Sequence, residues 1–128
     1  MAKILIVDDN PDVREVLQCQ LRMLGYLVIA AENGYVAIEK AVVEQPDLIL
    51  MDIMMPEMDG WQASRAVRAN PQTKNIPILA STAMSRRADL NACMEAGCNA
   101  YIVKPFTMME LKEKIGDLIT RYCGENHS

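Results

Sequence analysis

Five short runs of apolar residues punctuate the chain, and between them apolar positions recur at helical spacing. The run Lys3-Ile4-Leu5-Ile6-Val7 is wholly apolar after its lysine and reads as a strand buried on both faces, the kind found in parallel sheets. It ends at Asp8-Asp9. Asn10-Pro11 then supplies a helix start, with Asn10 able to cap and Pro11 at the first helical position, where its missing N–H costs nothing. That helix sets Val13, Val16, Leu17, Leu21 and Leu24 on one face and stops at Gly25. Residues 26–30 form a second strand, and Asn33-Gly34 turns the chain into a helix with Ala37, Ile38, Ala41 and Val42 inward. Between Pro46 and Pro56 lies a third strand, Leu48-Ile49-Leu50-Met51, which runs straight into Asp52.

The alternation continues to the end of the chain. Met58-Asp59-Gly60 makes a flexible loop with a helix cap at Asp59, and the helix through Val67 ends before Asn70-Pro71. Residues 76–80 form the fourth strand, with Pro77 near its beginning because proline cannot donate to a ladder, and Ser81-Thr82-Ala83 follow. Ser85 is expected to cap the next helix, whose inward face includes Leu90, Cys93 and Met94 and which terminates at Gly97. Residues 100–103 are the fifth strand, closed by Lys104-Pro105. Thr107 and Glu110 fit a capping box, opening a last helix with Leu111, Ile115, Leu118, Ile119 and Tyr122 on one face. Strand and helix thus alternate five times, which predicts an α/β domain whose right-handed crossovers cover both faces of one parallel sheet.

Composition narrows the function. A chain of 128 residues with 51% hydrophobic content suits one compact core. Its net charge of −4 and pI near 5.0 carry no broad basic patch, Arg86-Arg87 being the one adjacent basic pair, which argues against unaided binding to nucleic acid or anionic membrane. No apolar run approaches the roughly 20 residues that span a bilayer, and no signal-peptide pattern follows Met1, so a cytoplasmic protein without membrane insertion is expected. Cys19, Cys93, Cys98 and Cys123 are scattered, with no C-x-x-C and a single histidine at His127, and read as reduced structural thiols. The ten methionines read as core filler rather than a binding surface.

In a parallel sheet every strand points the same way, so the ends of strands one, three, four and five share one edge, where open α/β sheets place their chemistry. That edge carries Asp8, Asp9, Asp52, Thr82 and Lys104. Asp52 taken alone is either a cap for the next turn or a reactive group. Three carboxylates so close repel one another and push at least one pKa upward unless compensated. A hard divalent cation resolves this, and Mg²⁺ suits a site offering a few carboxylates. Lys104 adds a mobile point charge and Thr82 a hydroxyl donor. Together they make an electrophilic clamp for a phosphoryl group that Asp52 would attack, giving an aspartyl-phosphate. A surface acid cluster with a salt bridge is the plain alternative.

These residues resemble the response regulator receiver domain of bacterial two-component signalling, close in form to single-domain chemotaxis regulators. The resemblance runs from Lys3 to about Tyr122 and rests on Asp8-Asp9, Asp52 with Met55-Pro56 and Asp59-Gly60 behind it, Thr82-Ala83, and Lys104-Pro105-Phe106. Thr82 stands 30 residues after Asp52, and Lys104 stands 22 after Thr82. The resemblance implies a flavodoxin-like (βα)5 sheet of order 2-1-3-4-5 over residues 3–122, followed by a polar tail, 123–128. It implies that Asp52 is the phosphoacceptor and that Mg²⁺, with Mn²⁺ as a substitute, is held by Asp9, Asp52 and the Met54 carbonyl, with Asp8 acting through water. Thr82, Ala83 and Lys104 would contact the phosphoryl group, Thr82 and Tyr101 would form the switch pair, and Pro56, Gly60 and a cis Lys104-Pro105 bond would be structural. The implied donor is a sensor histidine kinase or histidine phosphotransfer protein. The implied output is a protein partner, not nucleic acid, bound through the fourth helix, fifth strand and fifth helix, by a monomer or a phosphorylation-dependent dimer.

Such a domain is a phosphoacceptor rather than an enzyme. A stand-alone regulator, a phosphorelay intermediate and a receiver excised from a hybrid kinase all fit the residues. A non-phosphorylated docking module would not need the full set of acids, Thr82 and Lys104. An aspartate-nucleophile phosphatase generally carries a second acid two residues after the nucleophile, where this chain has Met54. A flavin carrier needs a phosphate-cradling loop where this chain has Asp8-Asp9-Asn10-Pro11. Met54 and Met84, each two residues after a site residue, offer a hydrolytic water no good hydrogen-bond partner, which predicts a long-lived acyl phosphate.

Overall fold

A computed structural model describes residues 1–122; the polar tail 123–128, with Cys123 and His127, lies outside the described residues. Along the chain run β1 (Lys3–Val7), α1 (Pro11–Met23), β2 (Leu27–Ala31), α2 (Gly34–Glu44), β3 (Leu48–Asp52), α3 (Gly60–Ala69), β4 (Ile78–Thr82), α4 (Arg87–Glu95), β5 (Ala100–Val103) and α5 (Met108–Tyr122). All strand pairs are parallel, in the order β2-β1-β3-β4-β5, so the doubly wound, flavodoxin-like architecture is as expected.

The apolar runs occupy the middle of this sheet because only there are both faces covered. Every residue of β3 and β4 is buried. Alternate side chains divide into two layers. Leu5, Val7, Ile49, Met51 and Ile78 meet Ala37 and Ala41 of α2, Ala63 and Val67 of α3, and Cys93 of α4. On the opposite face Ile4, Ile6, Leu48, Leu50 and Ile102 meet Leu17 and Leu21 of α1 and Leu111, Ile115 and Leu118 of α5.

Local signals start and stop the helices. Asn10 Oδ1 accepts from the N–H groups of Asp12 (2.9 Å) and Val13 (3.3 Å). Asn33 and Asp59 cap α2 and α3 in the same way. Thr107 Oγ1 accepts from the Glu110 N–H at 3.0 Å while Glu110 Oε1 accepts from the Thr107 N–H at 3.2 Å, completing the capping box. Gly25 and Gly97, at φ 94° and 102°, take the left-handed conformation that ends α1 and α4.

Several expectations fail for identifiable reasons. Ser85 does not cap α4: Arg86 holds the cap position without a side-chain cap bond, and its Nε instead donates to Asp89 Oδ2 at 2.9 Å. Val16, Met94 and Tyr122 are exposed rather than inward, because they lie at the margins of apolar stripes whose centres are Leu17, Cys93 and Leu118. The methionines are mostly not core filler. Met51 and Met55 are buried, whereas Met1, Met23, Met54, Met94 and Met109 are exposed. Cys19 is exposed and Cys93 and Cys98 are buried, all three free. No helix among the described residues is long and apolar enough to cross a membrane.

One organising contact has no sequence signature. Arg68, late in α3, donates from Nε to the Gly97 carbonyl (2.9 Å), and from Nη1 to the carbonyls of Lys74 (3.0 Å) and Ile76 (2.7 Å). Its Nη2 reaches Asn99 Oδ1, which also accepts from the Ile78 N–H at 2.8 Å. The guanidinium therefore ties together the segments leading into β4 and β5. Burial lowers its pKa, yet an arginine stays charged under any ordinary condition.

Candidate functional site

The carboxyl ends of the central strands bring the acids together. Pairing sets Val7 of β1 beside Met51 of β3, so Asp8 follows β1 at the level where Asp52 closes β3. On the other side Asp52 is level with Ser81, and Thr82 with Val103, so Lys104 leaves β5 beside them. The backbone after Asp52 folds back at once: the Ile53 N–H donates to the Ser81 carbonyl (3.1 Å), and the Ile53 carbonyl accepts from the Gly60 N–H (2.9 Å). That approach explains Gly60. A Cβ there would sit 2.5 Å from the Asp52 carbonyl oxygen and 2.7 Å from Ile53 Cα, backbone atoms that cannot step aside. Pro56 is exposed on the outer turn of this loop, next to Glu57 with φ 66°.

Asp52 is only 5% exposed. Lys104 Nζ donates to its Oδ1 at 3.0 Å and lies 3.9 Å from Asp8 Oδ2. Asp8, Asp9 and Asp52 each offer a carboxylate oxygen, all within 4.8 Å of one another, with Asp9 the exposed member at the mouth. Burial raises the pKa of Asp52; the Lys104 hydrogen bond and charge pull it down, and the charges of Asp8 and Asp9 push it up further. The net direction is upward. The repulsion expected between the acids is present, but desolvation is the larger cause.

Thr82, buried, accepts at Oγ1 from the Met84 N–H (3.0 Å), and its carbonyl accepts from the Lys104 N–H (2.7 Å). Ala83 is exposed beside them. The Lys104-Pro105 bond is cis. Tyr101, half-buried on edge strand β5, packs on the core with Lys114 Nζ 5.9 Å from its ring centroid, a cation–π contact. An apolar groove of about 620 Å³ opens between α1 and the β5–α5 loop, lined by Val13, Val16, Leu17 and Phe106 and reaching Ala83 and Lys104.

The donor set fits a hard divalent cation. Three carboxylates face one ammonium, all ligating atoms are oxygens, and one member is open to solvent, which is the chemistry Mg²⁺ prefers. The structure thus brings Asp8, Asp9, Asp52 and Lys104 together, while Thr82 ends β4 next to them with its hydroxyl taken up by the Met84 N–H. The groove went unforeseen, because Val16 reads as a core position from helical spacing alone.

Comparison with known proteins agrees with this geometry. The family model described as the response regulator receiver domain matches residues 4–116. Among curated relatives, the probable transcriptional regulator ycf27 of Guillardia theta is 37% identical over 119 residues, covering 93% of this chain and 46% of that one. The DNA-binding dual master transcriptional regulator RpaA of Synechocystis is 35% identical over 121 residues, covering 94% and 50%. The chain spans about half the length of these curated relatives. Among solved structures, the chemotaxis protein CheY4 of Vibrio cholerae superposes with a TM-score of 0.88 at 33% identity, covering 92% of this chain and 98% of that one. The receiver domain of the sensor histidine kinase PA1611 of Pseudomonas aeruginosa, solved with a magnesium ion coordinated in its active-site cleft, gives 0.83 at 38% identity, covering 96% and 98%.

The raised pKa of Asp52 has a measurable consequence in the absence of metal. An acid whose folded pKa exceeds its unfolded value lowers stability above the folded pKa, and that penalty disappears as pH falls through the folded pKa to the unfolded one. In EDTA near neutral pH, Asp52→Asn should therefore be more stable than the wild type. The gap should close in acid, as followed by urea unfolding.

Proposed function

Because the chain belongs to the response regulator receiver domain family of two-component signalling, we propose that Asp52 accepts a phosphoryl group from a phosphohistidine on a sensor histidine kinase or histidine phosphotransfer protein. The observation that carries this reading is the Asp52 carboxylate, buried inside a three-acid cluster with Lys104 Nζ 3.0 Å from Oδ1. Burial removes competing water, and the neighbouring lysine keeps the nucleophile in place.

In the transfer, an Asp52 oxygen forms a bond to phosphorus while the phosphorus–nitrogen bond to the donor imidazole breaks, its electron pair leaving with the imidazole. Lys104 follows the charge onto the phosphoryl oxygens. Asp8, Asp9, Asp52 and, by family likeness, the Met54 carbonyl would hold Mg²⁺ or Mn²⁺, whose charge offsets that of the incoming phosphoryl group when bound. Asp52 is consumed once per event, so the domain serves as a phosphoacceptor and not as a turnover enzyme.

Drawing the Thr82 hydroxyl toward a phosphoryl oxygen weakens its bond from the Met84 N–H at the approach to α4. The Thr82 carbonyl is tied to Lys104, and Tyr101 lies on the same strand as the chain leading to it. This movement biases the surface of α4, β5 and α5, which binds a downstream protein. Protein contact rather than nucleic acid suits this chain, whose net charge of −4 opposes a phosphate backbone. A kinase partner using cytoplasmic ATP implies a cytoplasmic location.

The groove beside the site supplies the donor's docking surface. Val16, 56% exposed, and Phe106 offer a contiguous apolar patch within reach of Lys104, suited to the apolar side of a donor helix carrying the phosphohistidine.

Asp52→Asn should abolish labelling by a phosphorylated kinase and by acetyl phosphate, as read by radiolabel retention; undiminished labelling of the variant would overturn the assignment. Val16→Asp should slow transfer from a protein donor about tenfold, a loss of about 1.4 kcal/mol, while leaving transfer from acetyl phosphate unchanged. Met54 is 62% exposed and Met84 half-buried, flanking Asp52 and Thr82 with thioethers. Replacing both by glutamine should shorten the lifetime of the phosphorylated form severalfold in a time course of label loss.

A further inference from the structure

The loop that carries Asp8 and Asp9 is held from α1 by a side chain outside the acid, hydroxyl and lysine set. Arg14 stands in the first turn of α1, and helical side chains lean toward the helix N-terminus, so its guanidinium returns over the loop. Its Nη1 donates to the Asp8 carbonyl at 2.7 Å. The same residue is tied on its other sides: the Asp8 N–H donates to the Ala31 carbonyl of β2 (3.2 Å), and Asp8 Oδ1 accepts from the Asn10 N–H (3.0 Å).

The Asp8 carbonyl and the Asp9 N–H belong to one rigid peptide plane. Fixing that carbonyl therefore fixes the direction in which Asp9 leaves the backbone. Asp9 is the exposed member of the acid cluster, so burial does not hold its carboxylate. We propose that Arg14 is a positioning residue for the cation site, locking the Asp8–Asp9 peptide so that the Asp9 carboxylate stays within one ion's reach of Asp8 and Asp52. The proposal rests on the reading above in one respect, that these acids hold a divalent cation.

The sign of the effect separates positioning from charge. Removing a positive charge near three carboxylates would by Coulomb attraction alone strengthen cation binding. Loss of positioning weakens it, and outer-shell partners of metal ligands typically contribute about 10–100-fold in affinity. The test is a Mn²⁺ titration of wild type, Arg14→Ala and Arg14→Lys, followed by the electron paramagnetic resonance of free Mn²⁺, with amide exchange measured in parallel on the metal-free proteins. Arg14→Ala should bind Mn²⁺ about tenfold more weakly and exchange faster at Asp8 and Asn10, whose N–H groups are hydrogen-bonded, with thermal stability little changed. Arg14→Lys, which keeps the charge and one donor, should fall between. Equal or tighter Mn²⁺ binding by Arg14→Ala would overturn the proposal, and if that variant fails to fold, Arg14→Lys must itself show weakened binding. A wild type that binds no Mn²⁺ would refute the reading of the acid cluster as a cation site; unchanged exchange at Asp8 and Asn10 in the variant would then refute the role of Arg14 separately.

Discussion

The site depends on a carboxylate kept out of water beside two others. Asp52 is buried because it is the last residue of a strand that has covered neighbours on both sides and both faces, and burial is the chief reason its pKa rises. A lone buried acid would protonate, and three exposed ones would disperse into solvent. The sheet allows neither. It anchors Asp8 and Asp52 at the ends of adjacent strands and lets Lys104 offset part of the charge, leaving a cluster whose donor set fits a divalent cation.

Holding such a site in place takes structure at both ends of the sheet. At the site itself, Gly60 lets α3 begin against the Asp52 carbonyl, and Arg14 grips the Asp8 carbonyl from α1. At the opposite end Arg68 gathers the carbonyls that precede β4 and β5, stabilising the pairing that puts Thr82 and Lys104 level with Asp52. The groove of Val16 and Phe106 opens between α1 and the β5–α5 loop, whereas the Thr82 hydroxyl accepts from the Met84 N–H on the approach to α4.

The parts legible in the chain were those set by short-range chemistry or by parallel-sheet topology. Asn10-Pro11 and Thr107 with Glu110 are caps readable from residue type, and the acids and Lys104 converge because all parallel strands end on one edge. Helical spacing does not tell how far an apolar stripe extends around a helix. Val16 keeps helical spacing with Val13 and Leu17, yet the sheet covers only the arc centred on Leu17 and Leu21. Methionine numbers say nothing of placement, since the strands already fill the interior with leucine and isoleucine. Arg68 and Arg14 act on backbone carbonyls, targets without residue identity, so no motif announces them. Ser85 looked like a cap by type, but α4 begins two residues later, after Arg86.

The central claim is that a covalent acyl phosphate forms on Asp52, and borohydride reduction of the phosphorylated protein tests it most directly. Hydride converts an aspartyl phosphate to the corresponding alcohol, homoserine, a mass change that peptide sequencing can place. Treatment with acetyl phosphate and Mg²⁺ followed by borohydride should put homoserine at position 52 and nowhere else. Homoserine at position 8 or 9, or none in protein that has taken up phosphate, would contradict the account.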